Sequence, residues 1–253
     1  MITKTAFEEL YQIAEKFNPD VIACEKYYQM DGEGKNVSLT SYKNGDFTTE
    51  PIITGEDILK KLSDLNNRHF LWNLWTKLIR RDFFVKNEIK MLNIAGEDFF
   101  ATVTIISAAE KIVKVPNVIN FYRIVEDSVT HKSENVQKVF HKWIDATIQG
   151  IKYLDKFLNK QENFKNRADL KYLVFETVTK EFMQYLLPVY AQIPAHQLDK
   201  IIREEFSKIP DTTALTTFIF SRMNFFNVNL IQQQNFINQL QTENQQLKEQ
   251  LQK

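Results

Sequence analysis

The chain has 253 residues, 43% hydrophobic and 13% aromatic, which supplies a sizeable core and excludes wholesale disorder. Lys plus Arg and Asp plus Glu balance at 32 each, which argues against a partner chosen by bulk charge and so against nucleic acid, which wants a basic face. One cysteine, Cys24, excludes an intrachain disulfide framework and a cysteine-rich zinc site.

The first stretch, Thr5 to Phe17, places Phe7, Leu10, Tyr11, Ala14 and Phe17 at helical spacing, with Thr3 or Thr5 as cap; Asn18 and Pro19 stop it. Val21 to Cys24 predicts a buried strand running into Tyr27 and Tyr28. Asp31 to Gly34 reads as a turn and the alternation from Asn36 to Tyr42 as a second strand, which together predict a hairpin. Asn44-Gly45-Asp46 and Pro51 mark a loop, and Thr54-Gly55-Glu56-Asp57 opens a helix carrying Ile58, Leu59 and Leu62.

An aromatic and basic block follows, His69 to Phe84. Phe70, Leu71, Leu74, Trp75, Leu78 and Ile79 recur at three and four, predicting one apolar helix face. Lys77, Arg80 and Arg81 lie off that face; solvation is the default for them, and phosphate binding needs a neighbouring anion site. His69 has no Cys or His companion at ligand spacing and reads as a structural imidazole. Gly96 then precedes Glu97, Asp98 and an apolar run from Phe99 to Ala109, the order of a turn and a helix start. A helix N-terminus carries unpaired N–H groups and partial positive charge, so carboxylates there are stabilised as anions. Acids at such a place are also common where there is no chemistry. Ile112 to Val115 and Val118 to Arg123 predict two short strands around Pro116 and Asn117.

From Ser133 onward the pattern is almost wholly helical. Val136, Val139, Phe140, Trp143 and Ile144 form one stripe; Leu170, Leu173, Val174, Val178, Phe182, Tyr185, Leu186 and Val189 form another, stopped at Pro188 and Pro194. Two more helices are expected, from His196 to Ser207 and from Thr212 into the tail. The Gln-rich tail has a register: Leu230, Ile237, Asn244 and Leu251 fall at a, and Gln233, Leu240 and Leu247 at d. Asn244 at a favours a parallel pair, and Glu243 at g and Lys248 at e can pair between chains. The pattern covers about three heptads, so a solvated helical end is the competing reading.

The order of these motifs resembles the second half of a glycosyltransferase family 2 enzyme of the GT-A fold. The residues that carry the resemblance are Trp75-Thr-Lys-Leu-Ile-Arg-Arg81, Gly96-Glu-Asp98, Tyr122-Arg123 and Ser128-Val-Thr130, and it covers residues 1 to about 132. It implies a partial GT-A-like α/β sheet with helices over 1–132; the helical periodicity, not the resemblance, gives the all-α region over 133–225 and the helical, coiled-coil-like tail over 226–253. It also implies an inverting transfer from a nucleotide-sugar donor to a glycan or lipid-linked acceptor, with Asp98 as general base and Glu97 in support. Lys77, Arg81, Tyr122, Arg123 and His131 are the implied substrate-binding residues. The family's habit points to bacterial surface polysaccharide synthesis at the cytosolic membrane face.

The resemblance also implies a divalent cation, Mg or Mn, held by an Asp-x-Asp. None occurs in the chain; the nearest form, Asp31-Gly32-Glu33, sits in a turn after the wrong strand. The nucleotide-binding half is absent too, and three βαβ units of that kind would put roughly 90 residues before Met1. A fragment that begins just past the metal motif is therefore expected, and no metal ligands are assigned. The alternative is a non-catalytic interaction protein on a degraded transferase scaffold, self-associating as a homodimer through 226–253. No apolar run approaches the ~18 residues of a membrane span, and Met-Ile-Thr-Lys is no signal peptide, so a soluble, cytoplasmic protein, at most peripheral to a membrane, is expected.

Overall fold

The computed structural model describes residues 1–35, 37–41, 50–125, 135–190, 192–193, 197, 200, 203–204 and 214–251. It divides into two compact units, Met1–Glu134 with Gln149–Val178, and Asn135–Ile148 with Thr179–Lys253. The helix expected over 196–207 lies mostly outside the described residues.

The first unit is built on strand β1, Val21–Met30, which pairs in parallel with β5, Ile112–Arg123. On its other side β1 pairs antiparallel with β2, Val37–Ser41, and with the short β4, Lys77–Ile79. Strand β3, Ile52–Thr54, lies antiparallel to the start of β5. Helix α1, Ala6–Phe17, ends at Asn18 in the left-handed conformation and packs Ala6 and Leu10 onto Ile22, Cys24, Val113, Val115 and Ile119. The alternate residues Val21, Ala23 and Ile112 are buried as well. Because side chains alternate across a strand, this sheet is covered on both faces, which is why Val21 to Cys24 reads as an unbroken apolar run.

Helix α2, Ile58–Asn66, is capped by Asp57, whose side chain accepts the N–H of Leu59 and Lys60. Lys61 on α2 is only 2% exposed and donates to the carbonyls of Ser107 (2.9 Å) and Ala109 (2.5 Å). Those are unpaired groups at the end of α4, Glu97–Ala108, so the buried ammonium closes that helix. Every residue of α4 from Phe99 to Ser107 is buried, and Gly150 of the long helix α5, Val136–Lys160, lies against the Phe100 ring. In the same unit, the first part of α6, Ala168–Tyr190, meets α2 through Asn66 and Glu176 at 2.7 Å.

Three expectations are corrected. Residues 70–79 are not a helix: after a single 3-10 turn, Leu74–Thr76, the chain enters β4 and completes the edge of β1, because ladder bonds to a buried strand outweigh local periodicity. The two strands expected around Pro116 are one strand, β5, in which Val115 and Val118 face Cys24 and Lys26. Pro116, which has no N–H to donate, sits in the bulge this creates. Pro188 does not stop α6, which runs on to Tyr190.

The second unit contains the start of α5, the end of α6 and α7, Ala214–Leu251. Phe140 and Ile144 of the expected stripe are buried, and Trp143 packs edge-on against Phe182 at 5.7 Å. No helix among the described residues is long and apolar enough to cross a membrane.

Candidate active site

Gly96 caps α4 with φ 71°, a left-handed conformation that suits glycine, and turns the chain so that Glu97 and Asp98 open the helix. Glu97 is exposed and Asp98 half-buried. The Asp98 carboxylate accepts the backbone N–H of Leu74, in the turn before β4. Burial and the neighbouring Glu97 raise its pKa, against the lowering effects of the Leu74 N–H and of Lys77. The helix start was expected to favour the anion, yet desolvation outweighs it.

The turn that holds Asp98 is itself held from several sides. Thr102 of α4 donates to the Trp72 carbonyl at 2.7 Å, and Asn120 of β5 donates to the Trp75 carbonyl. Lys77 is turned inward, not solvated: its ammonium donates to the carbonyls of Leu71 and Asn73 (3.0 Å) and lies 3.4 Å from the Thr76 hydroxyl. Burial presses its pKa down to about 8, opposed by the charges of Glu25, Cys24 and Asp98. With a pKa of about 8 the lysine is mostly an ammonium at neutral pH, and its N–H groups tie the turn through these carbonyls.

Tyr122 stands beside this turn. Its ring stacks on Trp75 with centroids 5.5 Å apart and planes 7° from parallel, and Tyr27 meets Trp75 edge-on at 4.9 Å. Arg123, next in β5, is exposed and donates through Nε to the Gly32 carbonyl at 2.7 Å. Lys77, Asp98, Glu97 and Tyr122 thus surround one turn. Arg81 does not join them. It is exposed at the start of α3, Arg81–Lys86, next to Arg80, whose guanidinium is paired with Asp20. Ile79 pairs with Val21, so Arg81 lies just beyond the start of β1, whereas Tyr122 pairs with Gln29 towards its other end. His131 and the Ser128-Val-Thr130 motif lie outside the described residues. His69 holds Asp64 at 3.2 Å, a structural contact.

Glu25, whose charge acts on Lys77, is a candidate that sequence reasoning missed. It is 7% exposed, and its Oε1 has no hydrogen-bond partner. Burial pushes its pKa up to about 7, with Lys114 and Lys77 pulling it back. The signal was present: an acid ends an apolar run in what becomes a central strand.

The divalent cation implied by the resemblance finds no fit among the described residues, where no three His, Cys, Asp or Glu side chains converge. Lys77 interacts with both Glu25 and Asp98, which further disfavours a cation between those acids.

No family model matches the chain. The cholesterol galactosyltransferase of Borreliella burgdorferi is 30% identical over 146 residues, which are 53% of this chain and 39% of that protein. The chain therefore matches well under two thirds of the relative's length. The crystal structure of S. aureus TarS 1-349 in complex with UDP-GlcNAc is similar over 77% of this chain and 57% of that one, at 13% identity and a TM-score of 0.40. Over about half of its residues, then, this chain is similar to a curated glycosyltransferase.

Proposed function

We propose that the chain is the acceptor side of an inverting, GT-A, family 2 glycosyltransferase that moves a sugar from a nucleoside-diphosphate donor to an alcohol on a glycan or lipid. The observation that carries this reading is the placement of Asp98: a half-buried carboxylate in the first turn of α4, aimed by the Leu74 N–H and edged by an aromatic cluster. An acceptor hydroxyl is a poor nucleophile. As its oxygen bonds to the anomeric carbon, its proton passes to Asp98, and the bond to the departing diphosphate breaks with its electron pair. A pKa raised towards the working pH suits a general base, which must be ionised before the step and hold a proton after it.

The relative's name supports the reaction class, since galactosyl transfer to cholesterol also joins a sugar to an alcohol. Surface polysaccharide remains the proposed destination, with the enzyme working at the cytosolic membrane face. Mg or Mn belongs to the donor side of the reaction, and no step here is routed through it. Arg123 and His131 are proposed to meet the donor's phosphates and Glu97 to orient the acceptor. Lys77 is proposed to hold the turn. Residues 226–253 are proposed as a self-pairing segment.

The test is Asp98→Asn in the complete protein, with transfer rates measured at saturating donor and donor binding measured by calorimetry. Transfer should fall by about 10²–10⁴-fold while donor affinity stays within a few-fold. Turnover within a few-fold of the parent refutes the assignment.

A further inference from the structure

We propose that α7 pairs with α7 of a second copy of this chain as a parallel, in-register, two-stranded coiled coil. The inference rests on the reading of 226–253 as a pairing segment and adds its geometry. Helix α7 is unbroken over 38 residues, about 57 Å at helical rise, and every residue from 232 to 246 is exposed. Along this mostly polar rod, Leu230 (49%), Ile237 (44%) and Leu240 (47%) are large apolar side chains held in water, with Phe236 (61%) beside them. The first three occupy a, a and d of one heptad register, in which Gln233 is the intervening d residue and Phe236 flanks the seam at g. A narrow apolar seam on a polar helix is the form that a second helix covers.

The other polar side chains leave this seam clear. Gln234 bonds Asn238 (3.0 Å), Gln239 bonds Glu243 (2.9 Å) and Thr242 bonds the Asn238 carbonyl (2.9 Å), and none of these stands at a or d. Two features choose a parallel copy of the same chain over other occupants. In a parallel pair a faces a, so Asn244 meets Asn244 and its amide is satisfied; in an antiparallel pair a faces d, and the amide meets a different residue. In a parallel pair, a g residue also approaches the partner's next e residue. That sets Glu243 against Lys248 of the other copy, twice by symmetry, and both residues are exposed. Glu243 already takes the Gln239 amide, but a carboxylate can accept several bonds. In an antiparallel pair e faces e, and no e position from Asn227 onward carries an acid to meet Lys248.

Sedimentation of the chain over about 1–100 μM tests the pairing, and single cysteines test its geometry. The mass should rise towards twice 29.9 kDa. Leu240→Glu, on an exposed face, should weaken association at least tenfold with helicity unchanged. Ile237→Cys should form an interchain disulfide under mild oxidation, while Cys24 is buried and does not compete. A mixture of Leu230→Cys and Lys248→Cys chains should give no mixed disulfide between those positions. A monomer at every concentration overturns the pairing itself. A dimer that joins 230 to 248 but not 237 to 237 overturns the parallel geometry and leaves the pairing intact. A trimer or tetramer mass overturns the two-stranded form. None of these readouts depends on sugar transfer.

Discussion

The buried Glu25 should make this fold more stable in mild acid than in mild base, and Glu25→Gln should abolish that trend. In the folded chain its pKa stands at about 7, raised by burial, whereas an unfolded glutamate titrates near the ordinary value of 4.5. The native state therefore binds the Glu25 proton more tightly. Its contribution to stability is fully present below about pH 4.5 and is lost as the pH rises through 7. A gap of that size corresponds to roughly 3 kcal/mol, since one pKa unit is worth about 1.4 kcal/mol. Lys77 and Lys114 already oppose the shift, so their attraction does not repay the desolvation of the carboxylate.

Glutamine keeps the shape and removes the charge. Urea unfolding of both chains at pH 5, 6, 7 and 8 reports Glu25 together with the Lys77 it acts on, because titrating groups away from this pair cancel in the difference. The two should be about equally stable at pH 5. By pH 8 the Gln variant should lead by about 2–3 kcal/mol. A difference that does not vary with pH refutes the reasoning. So does a variant that loses ground as the pH rises, which would show that the lysines bind the Glu25 anion more strongly than burial opposes it.

Two further substitutions probe the packing around α4. Lys61→Met strips the ammonium from the carbonyls of Ser107 and Ala109 and should lower stability by about 1–3 kcal/mol, read from the urea midpoint; an unchanged midpoint would mean that water replaces the lysine. Gly150→Ala improves helix propensity by about 1 kcal/mol, yet its Cβ would stand 2.0 Å from the Phe100 ring. Overpacking at about 1–3 kcal/mol should win, so the melting temperature should fall, and a rise would show that the ring can turn aside.

Much of the frame was legible because local and tertiary demands agree there. Helix α1 has a clear apolar face and a strong stop at Asn18-Pro19, and it runs from Ala6 to Phe17. The β1–β2 hairpin follows from an apolar run and an alternating stretch on either side of a Gly-containing turn. Gly96 followed by two acids and an apolar run could be read as a helix start because glycine alone accepts that backbone cheaply.

The block from Phe70 to Ile79 was illegible for the opposite reason. Its apolar residues satisfy helical spacing and, over the three residues of β4, strand pairing as well, and nothing local separates the two. What decides is β1, some fifty residues earlier in the chain, whose open edge at Val21 to Ala23 takes up Lys77 to Ile79.

That same pairing decides the candidate site. Were residues 70–79 a helix, Lys77 would lie on its polar side and Leu74 would commit its N–H to the helix ladder. As a turn leading into β4, the segment frees the Leu74 N–H for Asp98, draws Lys77 onto its own carbonyls and lays Trp75 on Tyr122. The acid on α4 and the aromatic ring on β5 are therefore brought together by a strand of three residues. The motif Trp75 to Arg81 marks a place where the chain gives up local helix, which turns Lys77 inward onto its own carbonyls while Arg81, four positions on, stays exposed at the start of α3.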